Sequence, residues 1–307
     1  MQFGLSKRLD KAKDFCPLKT GVHKEILNAA DYLSKILLIE EKFAFVIDNF
    51  QEFEFECLGL TLRELNSPDR PHSERVARIH LLNRKIVNLF TTTRLYFDHT
   101  AHHLPSLPNA DVLTGEFNCL RIEKYDNSFS FRMGEALRNF VQHRGLPLDG
   151  AVYTSRWVDL QNFEPHRTAM ENGLALYLLT DRLIADKSFK RQIAGELKEQ
   201  PRKLNLRPVI WDYVGDIAAV HNQLRNSIKE LVKSSAEIVK RAIDDFAGNN
   251  ARRRSPIYLV TLENEKIIES RPLMMETSKR ITELISKYSR LENLTKQFVT
   301  SLPPDKI

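Results

Sequence analysis

Residues 208–246 read PVIWDYVGDIAAVHNQLRNSIKELVKSSAEIVKRAIDDF, and this stretch decides the fold class. Val214, Ile217, His221, Leu224, Ile228, Leu231, Ser235, Ile238 and Ala242 recur at alternating spacings of three and four, the period of a helix face packed along a partner. The spacing predicts one very long helix, closed by Gly248-Asn249-Asn250. Two seam positions, His221 and Ser235, are polar, which suits the core of a helical bundle better than a pure coiled coil.

Outward on the C-terminal side, Arg252-Arg253-Arg254 reads as an exposed basic clip. A hairpin is expected next, with 257–260 and 267–268 around Glu263-Asn264-Glu265. Ile281, Leu284, Tyr288, Leu291, Thr295 and Phe298 then return at heptad spacing and predict a last helix, antiparallel to the long one. On the N-terminal side, 151–158 and 174–179 are short, apolar and β-prone, which predicts two strands of a small sheet. Thr180 is the expected cap of a basic helix over 181–198, which Pro201 ends.

Further upstream, Ile26, Ala30, Leu33, Leu37, Phe43, Ile47 and Phe50 place a long first helix from residue 22. The alternation of Glu52, Glu54 and Glu56 with Phe53 and Phe55 reads as its fraying end before Gly59. Ser67-Pro68-Asp69-Arg70-Pro71 is a break, and 74–103 reads as a second helix needing a partner along its length. Residues 119–122 are expected as a brief strand before a third helix that ends near Pro147. The fold class is therefore mainly α, a helical bundle with a small antiparallel β element and long C-terminal helices. Its expected organisation is a bundle region over 1–150 and a basic region over 151–307 with short β hairpins and long antiparallel helices.

Composition narrows the class. A 307-residue chain with 42% hydrophobic residues has enough apolar surface for a real core. Cys16, Cys57 and Cys119 are isolated and odd in number, which argues for a reducing compartment and against disulfides or a zinc ribbon. Charged residues interrupt the N-terminus and every apolar run, so no signal peptide and no membrane span are expected and the location is read as cytoplasmic. Residues 1–150 hold 20 basic and 20 acidic groups, so the net charge of +6 belongs to the second half. It is densest over 182–207, where Lys190, Arg191, Arg202 and Lys203 would attract a phosphate-rich partner. A solvated face that keeps the chain soluble explains the same charge. The glycines form neither a dinucleotide loop nor a Walker pattern, and no Gly-x-Ser-x-Gly elbow occurs. No cofactor is expected. His99 and His103 stand one turn apart, half of a zinc site, but no third ligand accompanies them in the sequence, so no metal is expected.

The chemistry concentrates in 135–147, EALRNFVQHRGLP. Asn139 and His143, four apart on a helix, share a face, close enough for the amide to orient the ring. Gly145, expected in a left-handed turn, and Pro147 form a helix stop, so His143 falls in the last turn. The bare spacing of arginine and histidine carries little, because Arg75 and His80, and Arg94 and His99, repeat it. Asn139 and the helix stop distinguish the third copy.

Arg138-Asn139-x-x-x-His143 resembles the arginine–polar–x3–histidine signature of the HEPN superfamily, helical bundles that include metal-independent ribonucleases, many of them toxins or defence effectors. The resemblance covers at most residues 22–148. It implies a metal-independent endoribonuclease with Arg138, Asn139 and His143 as catalytic residues, RNA as substrate, an antitoxin-like protein partner and a homodimer. Five residues on a regular helix turn through about 500°, so Arg138 and His143 point roughly 140° apart. A site using both then needs either the helix to unwind at Gly145 and swing the ring round, or a second copy to complete it across a two-fold interface, and the resemblance to HEPN nucleases favours the second. Two other readings stay open: a helical RNA- or partner-binding module without chemistry, and a coiled-coil-like scaffold. In either, Arg138 and His143 cap and pair at a helix end.

Overall fold

The computed structural model describes residues 1–7, 15–66, 71–159, 168–187, 189–248, 256–289, 291 and 294. The chain is mainly helical with two small antiparallel sheets. In order, the elements are β1 (Gln2–Ser6), β2 (Cys16–Leu18), α1 (Thr20–Asn66), α2 (His72–His103), a short 3-10 turn, α3 (Ala110–Asn127) and α4 (Phe129–His143). Then come β3 (Gly150–Asp159), β4 (Thr168–Leu179), α5 (Thr180–Ala185), α6 (Arg191–Leu197), β5 (Lys203–Asn205), α7 (Leu206–Gly248), β6 (Ile257–Glu263), β7 (Lys266–Leu273) and α8 (Met275–Lys287).

Two compact units divide these elements, and each takes segments from before and after residue 150. The first is Met1–Ala44, Asp98–Glu116 and Asn222–Ser289. Its sheet runs β2-β1-β6-β7, with Gly4 opposite Val260 and Leu5 opposite Leu259. Leu5, Ile257, Leu259 and Leu273 of that sheet bury themselves with Ile26 of α1 and with Ala242 and Phe246 of α7. The β6–β7 hairpin turns at Asn264 and Glu265, both at positive φ, as a two-residue hairpin turn demands. A buried ion pair crosses the helices of this unit. Arg225 donates to both oxygens of Glu40, at 3.0 and 2.6 Å, and lies over the Phe43 ring.

The second unit is Phe45–Phe97, Phe117–His221 and Arg290–Ile307. Its described core centres on Tyr213 of α7, with the Phe90 and Phe131 rings edge-on at 6.0 and 5.5 Å. Gly134 lets α4 rest directly on that phenol, since a Cβ there would stand 2.5 Å from ring carbons. β3 and β4 form a long ribbon with Ala151 opposite Leu176 and Trp157 opposite Met170, and β5 pairs only with Tyr177, Leu178 and Leu179.

Several expectations need correction. Residues 119–122 are helical, inside α3, because Leu113 and Phe117 are buried one turn apart and set a helical period that four apolar-leaning residues do not override. The first helix does not fray near residue 52. Phe53, Cys57 and Leu60 are fully buried, and their packing carries α1 to Asn66. The basic helix over 181–198 is two short helices, separated where Phe189 turns inward to be buried and its amide bonds Asp186 O at 2.9 Å. Thr180 does not cap; its hydroxyl and amide both donate to the Arg202 carbonyl across the sheet. No described glycine has a positive φ, so α4 closes without a left-handed turn: the Arg144 and Gly145 amides share the Phe140 carbonyl at 2.8 and 3.3 Å. α8 ends at Lys287; Thr295, Phe298 and Arg252-Arg253-Arg254 lie outside the described residues.

Candidate functional site

α4 carries the motif. It begins where Ser128 stands between α3 and α4 and accepts a hydrogen bond from the Phe131 amide at 3.1 Å. Phe131, Met133, Ala136, Leu137 and Phe140 bury its inner face. Beyond His143 the chain is pinned, because buried Asn83 accepts from the Leu148 amide at 2.9 Å and donates to the Leu148 carbonyl at 3.2 Å. Arg132 ties α4 to α6 through two bonds of 2.9 Å to the Glu196 carboxylate. Phe189, on the turn before α6, meets the Phe140 ring edge-on at 6.3 Å.

These contacts leave a depression of about 230 Å³. Asn139, His143, Arg144 and Lys190 supply its polar lining; Ala136, Phe140 and Phe189 supply the apolar part. Lys190 is steered by Tyr125, its Nζ lying 5.1 Å from the ring centroid and 3.4 Å from the hydroxyl. Asn139 and His143 are both exposed on the same face of α4. Among the described residues, no hydrogen bond joins the Asn139 amide to the His143 ring, whereas the amide oxygen accepts from Arg138 Nη2 at 3.4 Å.

Arg138 itself turns inward. Only 8% exposed, it holds the Glu135 carboxylate at 3.1 Å. The other Glu135 oxygen accepts from Tyr213 at 2.7 Å, and the Thr93 hydroxyl stands 3.2 Å from that phenol. Burial, with Glu135 alongside, pushes the Tyr213 hydroxyl well above the usual phenol range. Arg138 Nε is buried with no hydrogen-bond partner among the described residues. The structure thus brings together Asn139, His143 and Lys190, and leaves Arg138 in a network behind them.

No protein-family model, curated protein or solved structure matches the chain.

The remaining basic candidates stand outside the depression. Arg191 opens α6 with an exposed side chain, Arg202 pairs with Asp181 at 2.7 Å, and Lys203 lies over the Tyr177 ring at 4.8 Å. Arg144 and Phe189 line the depression too. Arg144 follows His143 directly and reads locally as part of the helix stop, while nothing near Phe189 in sequence announces its partner. Arg75 and His80, the earlier pair with the same spacing, line a larger depression of about 580 Å³ with Tyr153 and Tyr177. There Arg78 is already neutralised, by Glu64 at 3.2 Å and Glu74 at 2.9 Å. His99 and His103 meet with ring centroids 5.9 Å apart. Among the described residues, no three His, Cys, Asp or Glu side chains are grouped to hold a metal ion.

Proposed function

We propose that the chain is an RNA-processing protein, a metal-independent endoribonuclease whose phosphate-binding and proton-transfer groups converge at the end of α4. The observation carrying this reading is the shared depression of His143, Asn139, Arg144 and Lys190. Metal-free cleavage of RNA needs a group to take the 2′-hydroxyl proton, a proton for the departing 5′-oxygen, and positive charge on the phosphorane. His143 serves proton transfer, Arg144 and Lys190 face the phosphate, and Asn139 contacts the ribose or the ring. Phe140 and Phe189 offer an apolar wall to a base. Arg138 acts indirectly, by holding Asn139 and the helix. The second proton-transfer role falls to water or to His143 of a second copy, which is where the homodimer enters this reading. The test is RNA incubation with chelator present: wild type cleaves, His143→Ala binds without cleaving, and cleavage surviving in His143→Ala overturns the assignment.

A second reading, a binding module without chemistry, is favoured by one observation. Arg138 is already committed to the buried Glu135 carboxylate, so the arginine of the motif serves the fold. In that case wild-type protein retains RNA without shortening it, and Lys190→Ala weakens retention.

A further inference from the structure

The larger depression of the second unit, about 580 Å³, lies along the free edge of a sheet. Gly150, Ala151, Val152 and Tyr153 at the start of β3 form one wall, and the start of α2 forms the other. β3 is an outer strand, paired only with β4, and among the described residues no other hydrogen bond reaches the backbone of 150–153. Sheets usually guard such an edge with charge, proline or a bulge. β7, an outer strand of the other sheet, has all three: the charges of Lys266, Glu269 and Arg271, then Pro272, and a register shift against Thr261 and Leu262. From Gly150 to Val158, β3 has neither proline nor bulge, and its one charge, Arg156, is paired with Glu171. An edge left unguarded is a template for an added strand.

The opposite wall says what kind of strand. Arg78 donates to the Tyr153 hydroxyl at 3.2 Å and Asn83 holds the Leu148 backbone, so α2 lies on the Tyr153 side of β3 and runs against it. His72 and Arg75 therefore stand towards the outer end of the groove, and Ile79 and Leu82 towards Gly150. Both carboxylates in the groove are already engaged. Glu64 accepts from Arg78 at 3.2 Å, while Asp149 pairs with Arg182 at 3.2 Å and accepts from the Leu179 amide at 2.7 Å. The side chains of His72, Arg75 and His80 are exposed and make no hydrogen bond or ion pair among the described residues. The charge left to answer is positive. A second copy is the wrong occupant, because its β3 would bring the same cations with it. We propose that the groove takes an extended acidic segment of another protein, added antiparallel to β3 along 150–153, about 10 Å of strand. In that direction an acidic side chain meets His72 and Arg75, and the side chain two residues later, an apolar one, meets Val76, Ile79 and Leu82. The side chain between them faces Val152 and Tyr177, on the other side of the sheet. Main-chain bonds hold the segment and these side chains select it. The groove shares no residue with the depression on α4, and the inference stands whether or not the chain cleaves RNA.

Selection of a displayed library of random short peptides on the full chain tests it, with wild type and Arg75→Glu side by side. Wild type enriches peptides with an acidic residue two before an apolar one; Arg75→Glu, with unchanged helical circular dichroism, does not. In fluorescence polarisation the enriched peptide binds Arg75→Glu about tenfold more weakly than wild type, and exchanging its acidic residue for lysine reverses the order. Methylating its backbone amides one at a time abolishes binding at alternate positions, the mark of strand pairing, and this series on wild type decides the matter if Arg75→Glu does not fold. A library that enriches nothing overturns the proposal. So do enriched peptides without an acidic residue, or ones that bind Arg75→Glu as tightly as wild type. Methylation tolerated at every amide overturns the added strand. A single-stranded RNA that binds wild type and not Arg75→Glu, with no peptide enriched, gives the groove to nucleic acid instead.

Discussion

Arg138 and His143 are five residues apart and live in different media. The arginine is held out of water by Glu135 and Tyr213, and the imidazole faces solvent beside Lys190. Breaking a buried ion pair strands its partner, so Arg138→Ala is expected to cost about 3 kcal/mol of stability. His143→Ala should change stability by less than about 1 kcal/mol while abolishing RNA cleavage. Chemical denaturation of both variants beside a cleavage assay checks this; equal, small stability losses would place Arg138 outside any supporting network. Two other histidines answer to pH. Burial lowers His103 and His23 from 6.5, and for His103 the neighbouring His102, His99, Lys35 and Lys42 push the same way. Above that value both the folded and the unfolded chain keep these rings neutral. As pH falls below it the unfolded chain takes up the protons first, so stability drops. The melting temperature should therefore be lower at about pH 5.5 than at about pH 7.5, and the drop should shrink in His103→Gln. A profile identical to wild type would show that His103 does not drive it.

Helices were legible because their signal is local. The period of α7 lies in the residues of α7, and Ile26, Leu33 and Phe43 announce the inner face of α1, whereas its second half was obscured by Glu52, Glu54 and Glu56 alternating through the period that Phe53, Cys57 and Leu60 keep. The β6–β7 hairpin was legible for the same reason, from its turn. β1 was not, since Phe3, Gly4 and Leu5 find their partners in Leu259, Val260 and Thr261 at the other end of the chain, and no short-range pattern marks that pairing. α5 and α6 read as one helix in the sequence, because the residue that parts them, Phe189, is drawn inward by a ring on α4. The candidate site divides along the same line. Asn139 and His143 share a face by spacing alone, but their meeting with Lys190 depends on how α4 and α6 pack through Arg132 and Glu196. That packing sorts the basic residues. Lys190→Ala should lower the salt dependence of RNA binding by about one counterion, whereas Arg202→Ala, whose guanidinium is engaged by Asp181, should leave the slope nearly unchanged. Binding measured at several salt concentrations separates them; the reverse order would move the binding surface to β5.

At the scale of the whole chain, the first unit has its core supplied from both ends of the sequence. Leu5 and Ile26 are buried with Ala242, Phe246, Ile257, Leu259 and Leu273, and Glu40 is neutralised by Arg225. A fragment of residues 1–150 is therefore expected to unfold without a cooperative transition, and mixing it with residues 151–307 should restore one. Calorimetry of the fragments, alone and mixed, checks this; a sharp transition in 1–150 by itself would show that it holds a complete core. Both long helices, α1 and α7, belong partly to one unit and partly to the other. A gene for the first unit alone would have to be spliced from three separate stretches, with cuts inside α1, α2, α3 and α7. No single recombination event can donate it to, or remove it from, another protein. Lineages carrying this chain should gain and lose the two units together, and only insertions at the connections between helices should be found in one unit without its companion.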